Sequence, residues 1–181
     1  MATGPAHATD ATKSLRLESS TLTVYGPGAT TTQCSQGNTA CGFIGVRADF
    51  SGLDGLDRTL LTGGNNVAGE VKVTRTYGCK SQAGERLSDF DVKVRTTEGF
   101  FTRRGLGFSV PATGDTLSVS TFAILSDAQP GNCPAGTQPT LYEIKANNAK
   151  IRLTSFATQT RDFTIPGAGT WTGAVPTPPV R

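Results

Sequence analysis

The sequence predicts an all-β protein, an antiparallel two-sheet sandwich of jelly-roll or immunoglobulin-like type, with a closed β-barrel as the alternative. Three observations carry that expectation. Val67 to Arg95 alternates apolar and polar residues with period two, the spacing of a half-buried strand. The composition, 22 Gly, 10 Pro, one Met, one Trp and 17% charged residues with abundant Thr and Ser, favours strands and turns over helices. Turn-forming residues recur about every 8 to 15 positions, with no repeated βα unit and at most one short helix.

The clearest element is a hairpin. Val67, Val71, Val73, Tyr77 and Cys79 share one parity, while Glu70, Lys72, Thr74 and Thr76 take the other. After a turn-rich 80–86 the return strand places Phe90, Val92 and Val94 inward and Asp89, Asp91, Lys93 and Arg95 outward. A register with Val73 opposite Phe90 and Val71 opposite Val92 would set Glu70 against Lys93 and Lys72 against Asp91, so that opposite charges face each other on the wet side.

The other elements follow in chain order. Residues 1–13 show no periodicity and read as a disordered start. Leu15 to Tyr25 alternates as a first strand, bent at Ser19-Ser20, and Gly26-Pro27-Gly28 ends it. A polar loop over 29–40 precedes a second strand, 42–50. The one candidate helix lies near 52–62, with Ser51 as N-cap, Asp54 three residues on, Leu53, Leu56 and Leu60 at helical spacing, and Gly63-Gly64 as a stop. Gly55 weakens it by about 1 kcal/mol relative to Ala. Beyond the hairpin, Leu106 to Val110 and Thr116 to Leu125 read as strands separated by a turn at 111–115, with Leu117, Val119, Ala123 and Leu125 on one face. Leu141 to Lys145 and Ile151 to Ala157 read as a second hairpin turning at Asn147-Asn148, where positive φ suits Asn. Asp162 to Ile165 closes the set. The domain is therefore bounded at 14–166, and 167–181, with Pro176, Pro178 and Pro179, reads as a tail.

Cys34, Cys41, Cys79 and Cys133 form an even set with no Cys-x-x-Cys, which speaks against zinc and for two disulfides. The simplest pairing is Cys34–Cys41 and Cys79–Cys133, although four cysteines allow three connectivities. Loop-closure entropy assigns about 2.5 kcal/mol to the short ring and about 4 kcal/mol to the long one. Disulfides imply an oxidising compartment, extracellular or cell-surface, with a virion surface as the alternative. Ala6-His7-Ala8 has the small-x-small form of a cleavage site, so the expected reading is either a leader lost near Ala8 or an Ala-rich disordered start. No stretch approaches the roughly 20 apolar residues of a membrane span.

Several chemistries are disfavoured. The single histidine, His7, sits in the non-periodic start, which removes a Ser–His or Cys–His pair and most catalytic metal sites. A net charge of +3, mixed with acids, does not make a nucleic-acid footprint. Three candidate sites remain. Asp89 and Asp91, with Glu70 across from them in the register above, could form the carboxylate pair of a glycan-cleaving enzyme. Asp49, Asp54 and Asp57 are hard oxygen ligands around one loop and could hold calcium, the only cofactor suggested. Arg103 and Arg104, with Lys72, Lys93 and Arg95 nearby, could form a basic patch for an acidic glycan or partner. Tyr25, Tyr77, Tyr142 and Phe100-Phe101 are expected in the core.

The expectation for function is a secreted or surface-displayed, non-enzymatic module acting in binding, adhesion or structure, with a protein or glycan partner. One alternative is a subunit of a virion surface or extracellular filament, which would be homo-oligomeric and would use its two ends to reach its neighbours. The carboxylate-based enzyme is another.

Overall fold

Alternation decides the layers. In residues 43–50 every second side chain is buried, and Ile44, Val46, Ala48 and Phe50 form one apolar row; 117–125 does the same with Leu117, Val119, Ala123 and Leu125. A row of this kind must be covered by another, and two sheets facing each other supply the cover. The computed structural model describes residues 15–27, 42–53, 65–102, 108–110, 113–125, 133–155 and 160–173.

Among these residues there are eight strands: β1 (Arg16–Tyr25), β2 (Phe43–Ser51), β3 (Asn65–Ser81), β4 (Arg86–Thr102), β5 (Phe108–Ser109), β6 (Leu117–Ile124), β7 (Thr137–Ser155) and β8 (Thr160–Thr172). They form two antiparallel sheets, ordered β1-β2-β6-β5 and β4-β3-β7-β8. The predicted sandwich is thus observed, and the second sheet is curled. β1 packs over β8 and β6 over β4. Between the layers, Phe50 meets Phe163 with ring centroids 4.4 Å apart, among Val46, Val71, Val73, Phe100, Ile144, Ile151 and Ile165.

The two sheets differ in length. β3 and β4 have 17 residues each and β7 has 19, against 8 to 10 in β1, β2 and β6. At ~3.3 Å per residue the second sheet is roughly twice as long as the first. Register shifts near Val71, Tyr77 and Asn148 bend it.

Four expectations need correction. The β3–β4 hairpin forms, but its register is six residues away from the expected one: Val73 faces Thr96 and Val71 faces Glu98. Parity is unchanged by an even slip, so the same faces are buried; the cross-strand charge pairs are lost, with Glu70 opposite Gly99 and Lys72 opposite Thr97. The second hairpin does not form. Asn148 does have positive φ, 52°, but as a bulge within the continuous β7. Opposite it on β8 lie Pro166 and Gly167, the latter at φ 119°, so the apparent turn and the apparent strand end are two sides of one irregularity. β8 is an edge strand, where a proline's missing N–H is tolerated. The tail consequently starts later than 167: residues 168–172 pair with β7, and half-buried Trp171 packs against the core, its ring on Gly26. Finally, Tyr25 is not core; it is 42% exposed and stacks on Phe43 with centroids 4.2 Å apart.

Cys79 and Cys133 are disulfide-bonded, with Cα atoms 5.5 Å apart, as the longer expected bridge required. Cys34, Cys41, most of the expected helix over 52–62 and the start over 1–13 lie outside the described residues. Gly52, at φ 84°, and buried Leu53, whose N–H donates to Asp115 O at 3.0 Å, are not helical.

Candidate functional site: a cationic trough on the second sheet

The outward parity of the second sheet builds a polar surface rung by rung. Lys93 of β4 faces Thr76 of β3, which faces Glu143 of β7 and then Thr172 of β8. The next rung is Arg95, Thr74, Lys145 and Thr170, and the one after it Thr97, Lys72, Asn147 and Ala168. All of these but Thr172 line a depression of about 620 Å³. Lys93 and Arg95 are two residues apart on one strand, ~7 Å, while Arg95 and Lys145 are two strands apart, ~10 Å.

Charge in the trough is unbalanced. Lys72, Lys93, Arg95 and Lys145 line it against one carboxylate, Glu143. That carboxylate is already engaged, accepting from Thr76 Oγ1 at 3.5 Å and lying 3.9 Å from Lys145 Nζ. Among the described residues no carboxylate comes within 4 Å of Lys72, Lys93 or Arg95. The floor is hydroxyl-rich, with Thr74 half-buried and Thr76 buried. Among the described residues no aromatic side chain lines it.

Farther along the same strands lies a tight polar cluster. The β3–β7 register shift between Thr76 and Tyr77 leaves Tyr142 as an extra residue beside Glu143. Its hydroxyl donates to Asp91 Oδ2 at 2.5 Å, Arg86 lies 5.1 Å over its ring, and Arg86 Nε is 3.6 Å from Asp91 Oδ1. Burial of the ring, then the bond to Asp91, pushes the Tyr142 phenol up to about 12. Gly78 leaves room for the Arg86 side chain to cross.

The expected sites fare differently. Of the basic patch, Lys72, Lys93 and Arg95 do come together, whereas Arg103 and Arg104 lie outside the described residues. Lys145 completes the group, brought there by the pairing of β7 with β3, which its local sequence does not encode. The carboxylate pair is contradicted in part: Glu70 lies opposite Gly99, eight residues from Asp91, or ~27 Å along the strand, far beyond the roughly 5 to 10 Å that glycoside cleavage uses. Asp89 keeps its place on β4, but its side chain is outside the described residues. Asp54 and Asp57 of the calcium proposal are also outside them. Asp49 accepts from Ser118 Oγ at 2.7 Å and Ser19 Oγ at 3.0 Å and pairs with Arg47 at 3.6 Å; the Ser118 bond above all holds its carboxyl below the usual range.

Sequence reasoning also missed a buried ion pair on the opposite face of the same sheet. Arg75 shares the inward parity of Val71, Val73 and Tyr77 and is 2% exposed. It reaches along the sheet to Glu98 at 3.3 Å and donates to Thr96 Oγ1 at 2.9 Å, and that hydroxyl in turn donates to Glu98 at 3.0 Å. The parity of Arg75 was the available signal, because a charge on an apolar face demands a partner.

The fold and the site together define an all-β, disulfide-linked sandwich carrying a cationic trough. No protein-family model matches the chain, and no curated protein matches it. No helix among the described residues is long and apolar enough to cross a membrane.

Proposed function

We propose that the protein is a secreted or surface-displayed β-sandwich that works by binding and performs no catalysis, and that the trough on β4, β3 and β7 is its binding face. One observation carries this reading: four cations against a single carboxylate among the described residues, Lys72, Lys93 and Arg95 having none of these within 4 Å, set over a floor of threonine hydroxyls in a depression of about 620 Å³. Uncompensated charge gathered on one face is the arrangement that attracts a ligand of opposite sign. The Cys79–Cys133 disulfide supports an oxidising compartment.

A glycan and polysaccharide array probed with the wild type and with Thr74→Tyr tests the reading. Tyrosine suits a strand and fills the floor. The expected result is binding by the wild type and its loss in Thr74→Tyr, with the two proteins melting at similar temperatures. Undiminished binding by the variant, or cleavage of a bound glycan, would overturn the proposal.

A further inference from the structure

The geometry points to a linear acidic polysaccharide, bearing sulfate or carboxylate groups, as the occupant of the trough. This rests on the trough being the binding face. Lys93 and Arg95 on β4, Lys72 on β3 and Lys145 on β7 are spread over three rungs, ~7 to 14 Å apart at the backbone, so they suit several anionic groups along one chain better than a single small ion. Between them, Thr74, Thr97, Thr170 and Asn147 offer hydroxyls and an amide, groups that exchange hydrogen bonds with sugar hydroxyls in both directions. The carboxylate of Glu143 adds an acceptor at the rim.

The lining argues against two other occupants. Single-stranded nucleic acid is held by aromatic platforms under its bases, and among the described residues none lines this depression. A protein partner needs a desolvated apolar or aromatic anchor at the centre of its interface, whereas the centre here is Thr74 between Arg95 and Lys145.

The test uses the intact, disulfide-bonded chain and three immobilised probes: heparin as the sulfated chain, polygalacturonate as the carboxylated one and dextran as the neutral one. Binding is expected to heparin, polygalacturonate or both, to weaken steeply with salt, and to be absent on dextran. Lys72→Ala/Lys145→Ala should weaken it by about tenfold, the product of two partly exposed charge contacts. Arg16→Ala/Arg47→Ala removes the same charge from exposed positions on the first sheet and should change it less than about twofold. Equal losses in the two variants would reduce the effect to net charge and overturn the assignment. Binding to dextran, or tighter binding to single-stranded DNA than to either acidic chain, would overturn the ligand class. If Thr74→Tyr also abolished that binding, the trough would stand as the binding face with a different occupant; if it did not, both readings would fall.

Discussion

Glu98→Ala is expected to cost about 3 to 5 kcal/mol of stability, the penalty for breaking a buried ion pair by removing one of its members. Arg75 and Glu98 are 2% and 6% exposed, and Thr96 bridges them, so removing the carboxylate leaves a guanidinium inside the sandwich among Val71, Val73 and Ile144. Against the roughly 5 to 15 kcal/mol of a typical domain, such a loss brings the protein close to unfolding at ambient temperature. Arg75→Met/Glu98→Leu should be far milder, since exchanging both charges for apolar groups of similar size removes the desolvation cost along with the attraction. Urea unfolding of the two variants measures the difference. A Glu98→Ala loss below about 1 kcal/mol, or a double variant as unstable as the single one, would show that water reaches this pair.

Removing the Cys79–Cys133 bridge should cost about 4 kcal/mol, because the two cysteines are 54 residues apart and the bridge withdraws that loop's freedom from the unfolded chain. Cys79 sits near the end of β3, where the second sheet extends past the shorter first one, so the bridge also fastens the segment around Cys133 to that end. Cys79→Ala/Cys133→Ala is expected to unfold at a markedly lower urea midpoint with an otherwise similar far-ultraviolet spectrum. An unchanged midpoint would assign that end's stability to packing alone.

Much of the fold was legible because period two survives errors of register. The even slip of the β3–β4 hairpin exchanged every cross-strand partner yet kept Val71, Val73 and Tyr77 inside and Lys72, Lys93 and Arg95 outside. For the same reason the basic patch was partly readable, since it depends on parity first and register second. Asn147-Asn148 and Pro166-Gly167 misled because positive φ and a missing N–H serve a turn, a strand end and a bulge alike; only the neighbouring strand distinguishes them. Lys145 and the Glu98 partner of Arg75 depended on which strands lie side by side, and no local pattern encodes that. Glu70 dropped out of the carboxylate group for the complementary reason: its place across from Asp89 and Asp91 required the register itself to be correct.

The trough as the working surface is tested most directly by mapping backbone amide chemical shifts of the isotope-labelled protein during titration with a heparin-derived oligosaccharide. The account predicts the largest changes at 72–76, 93–97 and 143–147, the three strands that carry Lys72, Thr74, Arg95 and Lys145. Changes confined to the outward face of the first sheet around Arg47, or no changes at all, would contradict it.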